Sequence, residues 1–253
     1  MIDYELRGHV AVITINRPEA RNAVNGEVAN GIEAAIDRLE ADDDVWLGVL
    51  CGEGSVFCAG ADLKAINEGR GGELQTERGG FGGIVQRERT KPIIAAVDGP
   101  ALAGGTEIVL ACDLVVASTD ARFGIPEVKR SLVAAAGGLF RLPKRLPPNV
   151  AMELALTGDP IDAARAHHFG LVNELCEPGT ALDHALALAG RIEANAPVAV
   201  RESRRLMLLS DDLDVDAGIH ESNKALMGLT SSADFSEGLM AFIEKRPPNW
   251  QGK

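Results

Sequence analysis

Short apolar runs set the strongest limit on how this chain can fold. VWLGVLC (45–51) is almost continuously apolar, and KPIIAAVDG (91–99) and CDLVVAS (112–118) have similar apolar centres. Runs of this kind are typical of strands that are covered on both faces. The run HVAVITIN (9–16) alternates and is rich in β-branched residues, so it predicts another strand, with IDYELR as its partner. We therefore expect a sheet with helices packed on it.

Helical patterns occupy the chain between and after these strands. NGEVANGIEAAIDRLEAD (25–42) predicts an amphipathic helix. Its apolar face would consist of Val28, Ile32, Ala35, Ile36 and Leu39. About 145 residues of alternating β and α pattern precede a mostly helical remainder, which is typical of an α/β class. We predict a core over residues 1–195 and a C-terminal helical region over residues 196–253.

The stretch EGRGGELQTERGGFGG (68–83) has a different composition. It is rich in glycine and charge and has little apolar content. Such a composition predicts a mobile loop or a weak helix. A lid over an active site and an ordinary surface excursion both agree with it.

Composition excludes several classes of function. The formal net charge of -12 opposes non-specific nucleic-acid binding, because an acidic surface repels the phosphate backbone. No apolar run approaches the roughly 20 residues that a membrane span needs. The five histidines show no metal-ligand spacing with carboxylates or thiols, so we expect no metal. Four scattered cysteines and a start without a secretory leader, MIDYELRGHVAV, predict a cytoplasmic protein with reduced thiols.

Two turns that join a strand to a helix carry the main chemical signal. In DGPALAGGTEIVLACD (98–113) the glycines lie at the join. The first turn of a helix leaves N–H groups unpaired, and glycine lets a ligand approach the backbone closely. The Gly104 N–H would stabilise an anionic oxygen there, and two such donors make an oxyanion hole. SVFCAGADLKAI (55–66) is a second turn of this kind, with small residues at 59–61.

Two glutamates lie in or near these segments. Glu107 falls one turn into the helix that begins near Gly104. A glutamate at such a position also interacts favourably with the helix dipole or closes a capping box. Glu127 follows Pro126 in RFGIPEVKR, where a solvated charge beside Lys129 and Arg130 is the plainest interpretation. Spacing alone leaves a structural and a catalytic interpretation open for both residues.

FCAGADLK, IAAVDGPALAGGTEIVLACDLVVAS and FGIPEV closely resemble the signature segments of the enoyl-CoA hydratase/isomerase (crotonase) superfamily. The resemblance extends over nearly the whole chain, from NRPEARNAV to EGLMAFIEKRPP, with the motifs in the same order. It implies the crotonase fold, a ClpP-like α/β spiral of repeated ββα units. It also implies a C-terminal helical region that supports a trimer or hexamer, and an acyl-CoA substrate with no separate cofactor.

The resemblance also assigns roles to residues. The backbone N–H groups of Ala61 and Gly104 match the pair that binds the thioester oxygen. Glu107 and Glu127 match the two catalytic glutamates of hydratases. Positions that match CoA-binding residues are Arg21, Ala23, Ala59, Asp62, Leu63 and Lys64, and, for the CoA of a neighbouring subunit, Phe242 and Lys245.

The implied reaction is the reversible addition of water to a 2-trans-enoyl-CoA, which gives a 3-hydroxyacyl-CoA. Two carboxylates that share one water are suited to serve as base and acid. Our hypothesis is that Glu107 deprotonates water and Glu127 protonates C2. The presence of both glutamates favours a hydratase over a 3,2-enoyl-CoA isomerase, for which one carboxylate commonly suffices. A non-catalytic acyl-CoA-binding protein is the alternative from another class.

Two segments depart from the pattern of many hydratases. Ala103–Thr106 stand where many have three glycines and a cysteine, and Ala134–Ala136 stand where many have Pro-Gly-Ala. All the replacements are small, which favours an unchanged backbone path. The acyl group is not predicted, so short, long, branched and ring-bearing chains remain open.

Overall fold

The computed structural model describes residues 1–253 as a mixed α/β structure. Its strands are β1 (Ile2–Arg7), β2 (Val10–Ile15), β3 (Leu47–Gly52), β4 (Gln75–Thr76), β5 (Gly80–Phe81), β6 (Ile93–Val97), β7 (Pro100–Leu102), β8 (Leu114–Ser118), β9 (Arg122–Gly124), β10 (Ile161–Asp162) and β11 (Glu174–Cys176). Its helices are α1 (Gly26–Ala41), α2 (Leu63–Asn67), α3 (Gly104–Ala111), α4 (Gly138–Arg145), α5 (Pro148–Thr157), α6 (Ala163–His168), α7 (Ala181–Glu193), α8 (Pro197–Leu208), α9 (Val215–Leu229) and α10 (Ala233–Glu244).

A six-stranded sheet in the order β1-β2-β3-β6-β8-β11 forms the centre. β1 and β2 pair with each other, as the sequence predicts for IDYELR and its partner. Their pairing is antiparallel, and every other neighbouring pair is parallel. A second sheet, β10-β9-β7, has β7 parallel to β9 and β10 antiparallel to it. The buried strands expected over 45–51, 91–99 and 112–118 are confirmed as β3, β6 and β8.

Alternate residues of the central sheet face two apolar cores. Val12 of β2 shares a core of 13 buried residues with Ala185 of α7. Its neighbour Ile13 shares a core of 42 buried residues with Ile32 of α1. This division follows from strand geometry, since successive side chains point to opposite faces. The apolar face predicted for α1 is confirmed, because all its predicted members are buried, namely Val28, Ile32, Ala35, Ile36 and Leu39.

The segment 68–83, predicted as a mobile loop or a weak helix, contains a short helix and a hairpin that was not predicted. Gly71–Leu74 form a short 3-10 helix, and β4 and β5 form an antiparallel hairpin. Arg78 of this segment and Arg87, four residues after it, each approach Asp37 of α1 to 2.5 Å. The segment is therefore tied to a helix about 40 residues earlier in the sequence. Its local composition could not reveal these long-range ion pairs.

The C-terminal helices bury few of their own residues. The buried ones in α8, α9 and α10 are Pro197, Ala225, Asp234 and Ala241. Many apolar side chains of these helices are exposed, among them Met207 and Phe242. The predicted boundary at residue 195 lies close to the start of α8, and the division into two parts stays a prediction.

A cluster of charges joins α8 to the end of α3. Asp113 accepts hydrogen bonds from Arg204 Nε of α8 at 2.9 Å and from Arg89 Nη1 at 2.5 Å. Burial opposes ionisation of Asp113, but the two guanidinium groups outweigh it and lower its pKa. A buried pair of this kind is destabilising to break, because the remaining partner keeps its charge without compensation.

All four cysteines are buried and unpaired, as the sequence predicts. None of the helices combines the length and the apolar character needed to cross a membrane.

Candidate active site

The turn from β7 into α3 presents the Gly104 N–H at the start of a helix. Ala103 has φ 54° and ψ -128°, a sparsely populated conformation that costs about 1–3 kcal/mol and often marks a functional site. Its N–H donates to the Gly124 carbonyl at 2.9 Å, which holds the turn against β9. A Cβ atom on Gly104 would lie 2.4 Å from the ring of Phe81. A side chain at position 104 would therefore displace the Phe81 ring.

The second turn lies directly against the first. Val24 and Ala61 form a parallel bridge, in which the Val24 N–H donates to the Gly60 carbonyl and the Asp62 N–H donates to the Val24 carbonyl, both at 2.8 Å. In such a bridge the N–H of the middle residue, here Ala61, points away from its partner strand. A Cβ on Gly60 would lie 3.0 Å from the Gly104 nitrogen. The structure thus brings the two predicted donor turns together.

Glu107 is almost completely enclosed, with 3% of its surface exposed. Its Oε1 accepts a hydrogen bond from the Gly138 N–H at 2.9 Å, at the start of α4, and it does not cap α3. Burial raises the pKa of Glu107 to about 7, the charge of Glu127 adds to the rise, and the Gly138 N–H opposes it. The capping-box interpretation is therefore wrong, and this carboxyl is able to keep its proton near neutral pH.

Glu127 lies in a 3-10 helix, Pro126–Arg130, that follows β9. Its side chain is partly buried rather than solvated, and burial raises its pKa, while Arg130 opposes the rise. Its Oε2 atom is buried without a hydrogen-bond partner. Buried polar atoms without partners are rare and costly, so this oxygen is a candidate to bind a reacting group.

Thr106 is a buried link between the two glutamate-bearing segments that the sequence did not reveal. Its Oγ1 lies 2.6 Å from the Ala101 carbonyl of β7 and accepts the Gly124 N–H of β9 at 3.0 Å. Glu107 is the next residue on α3, and the segment with Glu127 follows β9. Thr106 therefore fixes the position of one carboxylate relative to the other.

Gly138 and Arg141 also contribute and were not predicted. The Arg141 guanidinium donates to the Ala136 carbonyl at 3.2 Å and to the Val85 carbonyl at 2.6 Å, which holds the backbone beside Gly138. Its charge also acts to lower the pKa of Glu107. The pattern of Gly104-Gly105 at a helix start recurs at Gly137-Gly138, and this repetition is the signal that could have identified Gly138.

Most predicted CoA-binding positions lie together. The Ala59 N–H donates to the Arg21 carbonyl at 3.1 Å, and Asp62 caps α2 and pairs with Arg17 at 2.7 Å. These bonds and the Val24–Ala61 bridge place two short segments side by side, with the predicted residues Arg21, Ala23, Ala59, Asp62, Leu63 and Lys64. Phe242, which is 85% exposed, and Lys245 at the end of α10 have no hydrogen bond or ion pair to these segments within the single chain.

Comparison with known proteins identifies the family. Residues 5–253 match the family described as enoyl-CoA hydratase/isomerase. Enoyl-CoA hydratase EchA19 of Mycobacterium tuberculosis is 40% identical over 98% of this chain and 96% of its own. Short-chain-enoyl-CoA hydratase of Clostridium acetobutylicum is 37% identical, over 96% of this chain and 94% of its own.

A solved structure of an enoyl-CoA hydratase from Mycobacterium tuberculosis H37Rv matches this chain with a TM-score of 0.96. It is 51% identical and covers 100% of this chain and 99% of its own. The chain therefore belongs to the enoyl-CoA hydratase/isomerase family, and the predicted crotonase fold is confirmed.

Proposed function

We propose that this protein is an enoyl-CoA hydratase, which adds water to a 2-trans-enoyl-CoA to give a 3-hydroxyacyl-CoA. One observation carries the proposal. Two carboxyl groups with raised pKa, Glu107 and Glu127, lie in the same region as two contacting turns that each present a backbone N–H. Full-length relatives named as enoyl-CoA hydratases support the same conclusion.

The Ala61 and Gly104 N–H groups would hold the thioester oxygen. When the water oxygen attacks C3, the π electrons shift toward the thioester oxygen and an enolate develops. Two fixed donors at a helix start stabilise that charge, and the loss of one such donor costs about 2.7–4 kcal/mol in a known enzyme. The enolate then takes a proton at C2, so water is added across the double bond without a change in oxidation state.

The two glutamates would handle the protons of this reaction. One must be ionised to accept a proton from water, and the other must be protonated to supply C2. Glu107 has a pKa of about 7, and its burial favours the neutral form. We therefore assign the proton of the free protein to Glu107 and the ionised form to Glu127. This distribution favours Glu107 as the acid, the reverse of the hypothesis from the sequence.

No metal or redox cofactor is needed for this chemistry, and coenzyme A arrives as part of the substrate. We further propose that the protein acts as a trimer or hexamer in the cytoplasm. The exposed apolar side chains of α8 to α10 support an assembly through these helices, and the four unpaired thiols support a reducing compartment. Assembly would bring Phe242 and Lys245 to the CoA of a neighbouring copy.

The direct test is hydration of crotonyl-CoA, followed by loss of absorbance of its conjugated double bond. We expect turnover by the wild-type protein, and retained turnover in Glu177→Gln, which alters an exposed carboxylate outside the site. Conversion of a 3-enoyl-CoA to the 2-enoyl isomer without hydration would identify an isomerase instead. Binding of acyl-CoA without turnover of any enoyl-CoA would identify a non-catalytic protein.

A further inference from the structure

Phe81 is the bulkiest residue of segment 68–83, and its side chain lies beside the Gly104 N–H. A Cβ atom on Gly104 would lie 2.4 Å from both Cε1 and Cζ of Phe81, so one edge of the ring packs on the Gly104 backbone. The ring is only partly buried. A thioester oxygen bound by the Gly104 N–H would therefore lie within a few ångströms of this ring, about 3 Å from the nitrogen.

The hairpin that carries Phe81 is wedged between two helices. A Cβ on Gly82 would lie 3.1 Å from Ile108 of α3, and one on Gly83 would lie 2.1 Å from the Ala29 carbonyl of α1. Gly82 and Gly83 have φ of 62° and 71°, which other residues rarely adopt. The glycines thus allow the close packing that holds Phe81 in place.

Polar contacts to α1 hold the same hairpin from its outer side. Thr76 Oγ1 donates to Glu33 at 2.6 Å, and Asp37 accepts hydrogen bonds from Arg78 and Arg87, each at 2.5 Å. None of these residues belongs to the turns that carry the glutamates. These polar contacts to α1 hold the hairpin in addition to its packing on α3.

Several other side chains near the two turns are small. Ala61 and Ala136 pack with Phe81 on the same apolar core. A Cβ on Gly138 would lie 3.1 Å from Ala134 Cβ and also 3.1 Å from Glu107 Oε1, which places Ala134 close to that carboxylate. Among these neighbours Phe81 alone has the volume to exclude part of a substrate.

We propose that Phe81 determines which acyl groups this site accepts, by excluding branched and aromatic substituents close to the reacting double bond. The inference rests on the proposed hydratase function and specifies its substrate class as unbranched 2-enoyl thioesters. Hydrophobic pockets discriminate by the volume that a group requires, and a single methylene is worth about 10- to 200-fold in kcat/KM.

The test compares kcat/KM for crotonyl-CoA, 2-hexenoyl-CoA, 4-methyl-2-pentenoyl-CoA and cinnamoyl-CoA. We expect Phe81→Ala to raise the ratio of the branched and aromatic substrates to crotonyl-CoA by about 10-fold or more, with Phe81→Leu between it and the wild type. The ratio of 2-hexenoyl-CoA to crotonyl-CoA should stay nearly constant. Phe81→Leu keeps an apolar side chain on Gly104 and serves if the alanine variant does not fold.

Two further variants test whether a change in substrate ratios is specific to Phe81 or follows from any loss of packing in the core. Phe169→Ala removes another partly buried phenylalanine that packs on the same core at the end of α6, and should leave the substrate ratios unchanged. Asp37→Asn weakens the ties to Arg78 and Arg87 and should shift the ratios in the same direction as Phe81→Ala, by a smaller factor.

Unchanged ratios in both Phe81 variants, with crotonyl-CoA still hydrated, would overturn the role of Phe81 and leave the hydratase function standing. Equal ratio changes in Phe169→Ala would also overturn it. A wild-type protein that hydrates none of the four substrates would instead contradict the proposed function, and the inference with it.

Discussion

Glu107 and Glu127 lie in one site, yet the fold holds them differently. Glu107 belongs to a regular helix, is almost fully enclosed and accepts a hydrogen bond from the Gly138 N–H. Glu127 belongs to a 3-10 helix, is partly buried, and has an oxygen without a partner. The fold thus satisfies one carboxyl in advance and leaves the other with unused hydrogen-bonding capacity. Burial, which outweighs the hydrogen bonds and the charge of Arg141 that oppose it, explains why Glu107 is the better proton holder.

The largest expected effect comes from removing either carboxyl. Glu107→Gln and Glu127→Gln should each lower kcat for crotonyl-CoA hydration by about 10²–10⁴-fold, because each removes a proton-transfer group. Initial rates under saturating substrate would measure this, with Glu177→Gln as the exposed control. Full activity in either variant would show that the replaced glutamate is not a catalytic acid or base.

Glu107→Gln should lower activity but raise the free energy of unfolding above neutral pH. The pKa of Glu107 rises from 4.5 to about 7 on folding, so the folded state binds the proton more tightly than the unfolded state. The contribution of Glu107 to the free energy of unfolding is then fully present below pH 4.5 and is lost as the pH rises through about 7. Glu107→Gln should be more stable than the wild type at pH 8 by about 1–3 kcal/mol, with little difference at pH 4.5.

Urea titrations of both proteins at equal concentration would measure this difference at the two pH values. Glu127→Gln should gain less, because its carboxyl is less enclosed. A Glu107→Gln variant that is less stable than the wild type at pH 8 would contradict the raised pKa.

The pH dependence of the rate tests which glutamate holds the proton. If Glu107 is the acid, kcat/KM should fall about tenfold per pH unit above a pKa near 7, as this group loses its proton. If Glu107 is the base, as the sequence suggested, kcat/KM should instead rise through the same range to a plateau. Rates measured from pH 5 to 9 at low substrate concentration distinguish the two slopes.

The smallest expected effect comes from changing Thr106, which links α3, the helix of Glu107, to β9, the strand before Glu127. Thr106→Val keeps the shape of the side chain but removes the hydroxyl that binds Ala101 and Gly124. We expect kcat to fall about tenfold, with KM nearly unchanged, since a hydrogen bond contributes about 1 kcal/mol and here also fixes geometry. Thr106→Ser should restore most of the rate. Loss of the rate in Thr106→Ser as well would argue for packing rather than for the hydroxyl.

The sequence predicted those parts of the site that depend on local pattern. Strand and helix periodicity identified the elements around Gly104 and Glu107, which are separated by one helical turn. The catalytic interpretation of Glu107 came from the resemblance to the family, because spacing alone left it open. The partners of these residues are distant in sequence, and no local pattern predicts them. Gly138 is 31 residues from Glu107, and Gly124 is 18 residues from Thr106. The hairpin in segment 68–83 was missed for the same reason, because the carboxylates that pair with Arg78 lie on α1.

The cluster of Arg89, Asp113 and Arg204 has a consequence for recombination between relatives. A chimera joined at residue 195 would take Asp113 and Arg89 from one parent and residue 204 from the other. Without a guanidinium at 204, Asp113 would keep its hydrogen bonds from Arg89 and from the Ile93 N–H, but it would lose one of its two ion pairs. The two parts of this chain should therefore be exchangeable only between relatives that keep an arginine at this position.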